Sequence, residues 1–143
     1  MVTRRPLVLV VEDNEDLRSL LLLFFLERGC DIAEASNGKQ GVRLARKNHP
    51  DLVLTDLNLP YLDGLQVTCL LKKHADTEPI PVVAMSAYCP NTGWMEKAIR
   101  VGCDYCIAKP INFDELAQVL EVCVPRQRLQ NSKNKGEAGE EPL

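Results

Sequence analysis

A chain of 143 residues, 45% hydrophobic and 26% charged, holds enough apolar material for the core of one ordinary water-exposed domain. Its 17 Lys and Arg against 20 Asp and Glu leave a net charge of −3, and the scattered cations argue against a nucleic-acid partner. The longest apolar stretch, Leu20 to Leu26, is too short to span a bilayer, and the run after Arg4-Arg5-Pro6 meets acids rather than a cleavage-like site, so a cytoplasmic protein without a membrane partner is expected.

Five short apolar runs alternate with five longer segments of helical period, the pattern of an α/β domain whose parallel sheet is covered on both faces. The first strand, 7–11, meets Glu12-Asp13, and a helix over 15–28 closes at Gly29. A strand over 31–35 and a helix over 38–47 follow. The third strand, 52–55, ends at Asp56, and Asp63-Gly64 reads as a turn before a helix over 64–73, with the glycine expected to supply a positive φ. The fourth strand, 82–86, ends in Ser86, and a helix over 92–101 stops at Gly102. The fifth, 105–108, ends at Lys109-Pro110, and a helix over 114–124 begins with Asn112 and Glu115 spaced as in a capping box and stops at Pro125. From Arg126 onward the composition is polar, and 125–143 is expected to be a disordered tail beyond a domain spanning 5–124.

On the first helix, counting at 3.6 residues per turn puts Leu17, Leu20, Leu21 and Phe24 on one face, and Leu22, Leu23 and Leu26 on roughly the opposite side. One apolar face serves a core; the second is either covered by neighbouring helices or a docking stripe. Trp94 and Met95 open the fourth helix as core residues or, if exposed, as anchors for a partner. The six cysteines are expected to be reduced thiols. Cys103 and Cys106 form a lone CxxC, and His49 and His74 lie in other elements, short of a four-ligand zinc site.

Four strands thus end in Glu12-Asp13, Asp56, Ser86 and Lys109, groups suited to phosphate chemistry, at the edge where α/β sheets bind ligands. Three of these residues are acids able to share one cation. Together with Leu59-Pro60, Asp63-Gly64 and Pro110, in this order and spacing, they resemble a response-regulator receiver domain over about residues 5 to 124.

The resemblance implies a flavodoxin-like doubly wound (βα)5 fold with parallel strand order 2-1-3-4-5. It implies that Asp56 accepts a phosphoryl group in a Mg2+-dependent reaction, with Mn2+ as a substitute. Asp13, Asp56 and the Asn58 backbone carbonyl would hold the metal, and Glu12 would act through water. Lys109 and Ser86 would bind phosphoryl oxygens, aided by a cis Lys109-Pro110 bond, and Asn58 and Tyr88 would tune hydrolysis. Ser86 and Tyr105 would form the switch, with Tyr105 turning inward.

The implied partners are a histidine kinase or histidine-phosphotransfer protein as donor, received against the first helix, and a protein target on the face of the fourth helix, fifth strand and fifth helix. No effector is expected after the receiver, since the tail is too short for a DNA-binding module, and output through protein contact is expected from a switch that is no conventional turnover enzyme. Three other readings stand beside it. One is a relay that passes the phosphoryl group onward, and another a phosphorylation-independent binding module. The third is a haloacid-dehalogenase-like phosphatase, which would place its nucleophile after the first strand and an aspartate where Asn58 stands.

Overall fold

The computed structural model describes residues 4–87 and 93–124. Strands and helices alternate: β1 Leu7–Val11, α1 Glu15–Glu27, β2 Asp31–Ala35, α2 Gly38–Asn48, β3 Leu52–Asp56, α3 Gly64–Lys73, β4 Val82–Ala87, α4 Trp94–Arg100, β5 Tyr105–Lys109 and α5 Phe113–Cys123. All pairings are parallel and the strand order is β2-β1-β3-β4-β5, the flavodoxin-like arrangement expected. The differences from the expected elements lie at the ends; β3, β4 and β5 each run one residue further, into Asp56, Ala87 and Lys109. Thr92, Tyr88, Cys89 and the tail over 125–143 lie outside the described residues.

The apolar runs are continuous because both faces of the sheet are buried. On β1, Val8 and Val10 pack with Leu21, Phe25, Leu116 and Leu120 under α1 and α5, while Leu9 and Val11 pack with Ala45, Val67, Leu71 and Ala98 under α2, α3 and α4. Burying each of the Val, Leu and Phe side chains among them contributes about 1.5–3 kcal/mol. Two apolar layers therefore clamp the strands and fix where they end.

The inward face of α1 differs from the expected one. Leu21, Phe24 and Phe25 are buried, with Phe25 wholly so, whereas Leu20 is 54% exposed. Phe24 meets Phe25 edge-on at 5.0 Å between centroids and Phe113 of α5 at 5.4 Å, so the aromatics set the helix's rotation. Leu22 is half-buried. The outward stripe is Leu20, Leu23 and Leu26, at i, i+3 and i+6, rather than Leu22, Leu23 and Leu26.

Side-chain caps start four helices. Asn14, Asn37, Asp63 and Asn112 accept from the backbone N–H three residues on. The reciprocal capping box forms at Asp63 and Gln66, where Asp63 N–H also donates to Gln66 Oε1 at 3.0 Å. At Asn112 the bond found is the forward one, from Glu115 N–H at 3.0 Å.

Gly64 is needed for a different reason than expected. It does not have a positive φ; it opens α3 where a Cβ would collide with the Asp56 carbonyl oxygen and come 2.8 Å from Leu57 Cα. The left-handed residue of this loop is Tyr61, at φ 69°.

Candidate functional site

Parallel strands present their carboxyl ends at one edge, so the residues closing β1, β3 and β5 converge. Glu12 N–H continues the ladder by donating to Ala35 O at 3.0 Å, which carries the chain past β1 in register and holds the Glu12 side chain over the sheet. Glu12 and Asp56 are buried and Asp13 is exposed. Each offers a carboxylate oxygen, and these oxygens lie within 4.8 Å of one another.

Lys109 Nζ reaches in from β5 and donates to Glu12 Oε1 and to Asp56 Oδ2, both at 3.0 Å. The second oxygens have backbone donors: Asn14 N–H to Glu12 Oε2 at 3.0 Å and Asn58 N–H to Asp56 Oδ1 at 3.1 Å. Charge-assisted bonds of this kind fix the carboxylate orientations. The Lys109–Pro110 bond is cis.

Arg18 was not singled out from the sequence. Its Nη1 donates to the Glu12 carbonyl at 2.7 Å and its Nε to Glu34 Oε1 at 3.1 Å, tying the loop that carries the acids to α1 and β2. Only the fold brings these three together, since Arg18 and Glu34 belong to different elements.

The electrostatics are those of an acid-rich pocket with one cation. Burial pushes the Glu12 carboxyl above the ordinary glutamate value, against the opposing bonds from Asn14 and Lys109, and the Asp56 charge adds to the rise. For Lys109, burial is the largest single influence and acts downward. The bonds to Glu12 and Asp56 and their charges together outweigh it, and the ammonium is held above the ordinary lysine value.

The donor set fits a hard divalent cation. An octahedral Mg2+ with oxygens at about 2.0–2.1 Å spaces its ligands about 3 to 4 Å apart and retains water. Carboxylate oxygens within 4.8 Å of one another match that spacing for two direct ligands, with a third bonded through water.

Ser86 is buried near the end of β4, one residue past the Met85 that pairs with Asp56, and lines a groove with Asn58 and Trp94. Trp94 itself is half-buried, while Met95 is exposed.

Tyr105 is not where an inward-turning partner of Ser86 would have to be. In the β4–β5 register Tyr105 pairs with Val83 and Ile107 with Met85, on the α1 and α5 face, whereas Ser86 pairs with Ala108. Strand side chains alternate, so Tyr105 and Ser86 occupy opposite faces. The β5 residue two positions before Ala108 on the Ser86 face is Cys106, whose thiol lies 3.9 Å from the Met95 carbonyl of α4. Tyr88 lies outside the described residues.

The model of the response regulator receiver domain family matches residues 8–121. The chain belongs to that family. Polar-differentiation response regulator DivK of Brucella ovis is 34% identical over 114 residues, which cover 80% of this chain and 92% of DivK. Hybrid signal transduction histidine kinase G of Dictyostelium discoideum is 35% identical over 121 residues, 82% of this chain but 4% of that kinase. Among solved structures, the receiver domain of the Pseudomonas aeruginosa sensor histidine kinase PA1611, with a magnesium ion coordinated in its active site cleft, superposes with a TM-score of 0.76 at 26% identity, covering 83% of this chain and 97% of that one. The Francisella response regulator 1452 receiver domain gives 0.77 at 30% identity, covering 85% and 98%.

Receiver domains take phosphoryl groups from histidine kinases, bind Mg2+ in the acidic site and act as signalling modules rather than conventional turnover enzymes. Among the described residues, no helix is long and apolar enough to cross a membrane.

Proposed function

We propose that this receiver accepts a phosphoryl group on Asp56 and signals through contacts that depend on it. The observation that carries the reading is the Lys109 ammonium held 3.0 Å from both Asp56 and Glu12 beside the exposed Asp13. In the transfer an Asp56 carboxylate oxygen forms the new P–O bond as the donor's P–N bond breaks, and the donor imidazole departs with the bond's electron pair and takes up a proton. Asp13, Asp56 and the Asn58 carbonyl would hold Mg2+, or Mn2+ in its place, with Glu12 bonding through water. Bound there, the metal supplies charge that relieves repulsion between an anionic acceptor and an anionic donor.

Lys109 would leave its bridge to bind one phosphoryl oxygen, and the Ser86 hydroxyl would donate to another. The switch is then read through Ser86 and the segment following β4, without Tyr105 turning in. Asn58, exposed beside the acceptor, would set hydrolysis together with Tyr88.

The donor, a histidine kinase or histidine-phosphotransfer protein, would dock on the α1 stripe Leu20, Leu23 and Leu26. The downstream protein would bind α4, β5 and α5, where Met95, Ile99, Tyr105 and Val122 are exposed. A cytoplasmic setting follows from such donors. Incubation with a histidine-phosphorylated donor tests the reading: label should move to the wild type and not to Asp56→Asn, and equal labelling of the two would overturn it.

A further inference from the structure

Lys39, Arg43, Arg46 and Lys47 stand at i, i+4, i+7 and i+8 of α2, along one face, and all are exposed. Like charges at this spacing repel one another and weaken the helix. Five cations elsewhere among the described residues have carboxylate partners, Arg18 with Glu34 and Lys72 with Asp104 among them. These four make no ion pair or hydrogen bond among the described residues.

They border a groove of about 950 Å3 between α2, the β3–α3 loop and α3, with apolar Val42, Leu62 and Leu70 in its lining. Tyr61, 88% exposed, lines the groove with the same cations. Asp76 is the single acid in that lining against four cations, so on a chain of net charge −3 the groove is a patch of net opposite sign.

We propose that the groove is the docking site of this chain's own acidic stretch, residues 137–141. Three of those five residues are acids, Glu137, Glu140 and Glu141, and Pro142-Leu143 follow them. The cations beyond α5 (Arg126, Arg128, Lys133 and Lys135) all precede the stretch, so its charge is unmixed. The glutamates match the α2 stripe, and Leu143 matches the apolar lining.

The geometry permits the contact within one chain. Each helix runs back against the strands, so α2 and α5 both end at the edge of the sheet opposite the acid site. From Val124 to Glu137 the chain has thirteen residues, whose greatest reach is about 45 Å. A domain of this size has a radius of gyration of about 14 Å, so the linker spans the gap. Tethering gives the stretch an effective concentration on the order of millimolar, enough for a weak, salt-sensitive contact. The proposal is independent of phosphoryl transfer.

Amide NMR spectra of the whole chain, compared with its Glu137→Gln, Glu140→Gln, Glu141→Gln variant, test it. Outside the substituted stretch and its neighbours, shift differences should cluster at 39–47 and 61–70, persist on dilution, and vanish at about 0.5 M salt, where screening is strong. In a second variant, Arg43→Gln with Arg46→Gln, the amides of 137–141 should shift in the absence of any change at the acid site. Coincident spectra, differences clustered elsewhere, or differences that fade on dilution as a contact between copies would, each overturn the proposal.

Discussion

Lys109 Nζ lies 3.0 Å from Asp56 Oδ2 and equally close to Glu12 Oε1, so one ammonium from the edge strand joins the acids at the ends of two interior strands. Its charge makes tolerable two carboxylates that are otherwise buried together. Replacing Lys109 by Met should lower the stability of the metal-free protein by about 1–3 kcal/mol, and Mg2+ should restore more of it than in the wild type. Urea unfolding with and without Mg2+ reads both; equal Mg2+ increments in the two proteins would contradict the bridging role.

Glu12 gives a pH signature. Its folded value is raised above the ordinary 4.5, so its contribution to metal-free stability is fully present below the unfolded value and is lost as pH rises through the folded one. Metal needs the carboxylate ionised, and Mg2+ affinity should therefore fall as pH drops through the same window. Calorimetric titration at several pH values should show that step in the wild type and a flatter profile in Glu12→Gln.

Gly64→Ala should destabilise the fold by about 1–3 kcal/mol, because the new methyl meets backbone at Asp56 and Leu57 rather than a movable side chain. Displacing Asp56 should also weaken Mg2+ binding. Thermal unfolding and metal titration check the two effects; a variant of wild-type stability would show that the loop yields.

On α1, Leu20→Ser with Leu23→Ser should slow transfer from a histidine-phosphorylated partner and spare labelling by a small phosphodonor. Both side chains are more than half exposed, and stability should change by no more than about 0.5 kcal/mol each. Phe25→Ala, fully buried, should instead lose about 3–5 kcal/mol. Unchanged partner kinetics in the leucine variant would remove α1 from donor recognition.

The convergence of Glu12, Asp13, Asp56 and Lys109 was legible in the sequence because a parallel sheet leaves apolar strands only one edge at which to end. Tyr105 was misread because its face depends on pleat phase, and that is set by pairing Val83 with Tyr105 across β4 and β5. The rotation of α1 was equally hidden: leucine counting favoured Leu20, while contacts of Phe24 with Phe25 and Phe113 turn that residue outward. Gly64 carried a correct signal with the wrong cause, close approach rather than positive φ. Arg18 gave no local signal, since its partners lie on β2 and in the loop after β1.

The central claim is tested most directly by intact-protein mass after incubation with acetyl phosphate and Mg2+, beside Asp56→Asn and a chelator control. A gain of one phosphoryl group in the wild type that is absent from both controls is the predicted result. The same gain in folded Asp56→Asn, or with the metal removed, would contradict the assignment of Asp56 and its metal-bound pocket.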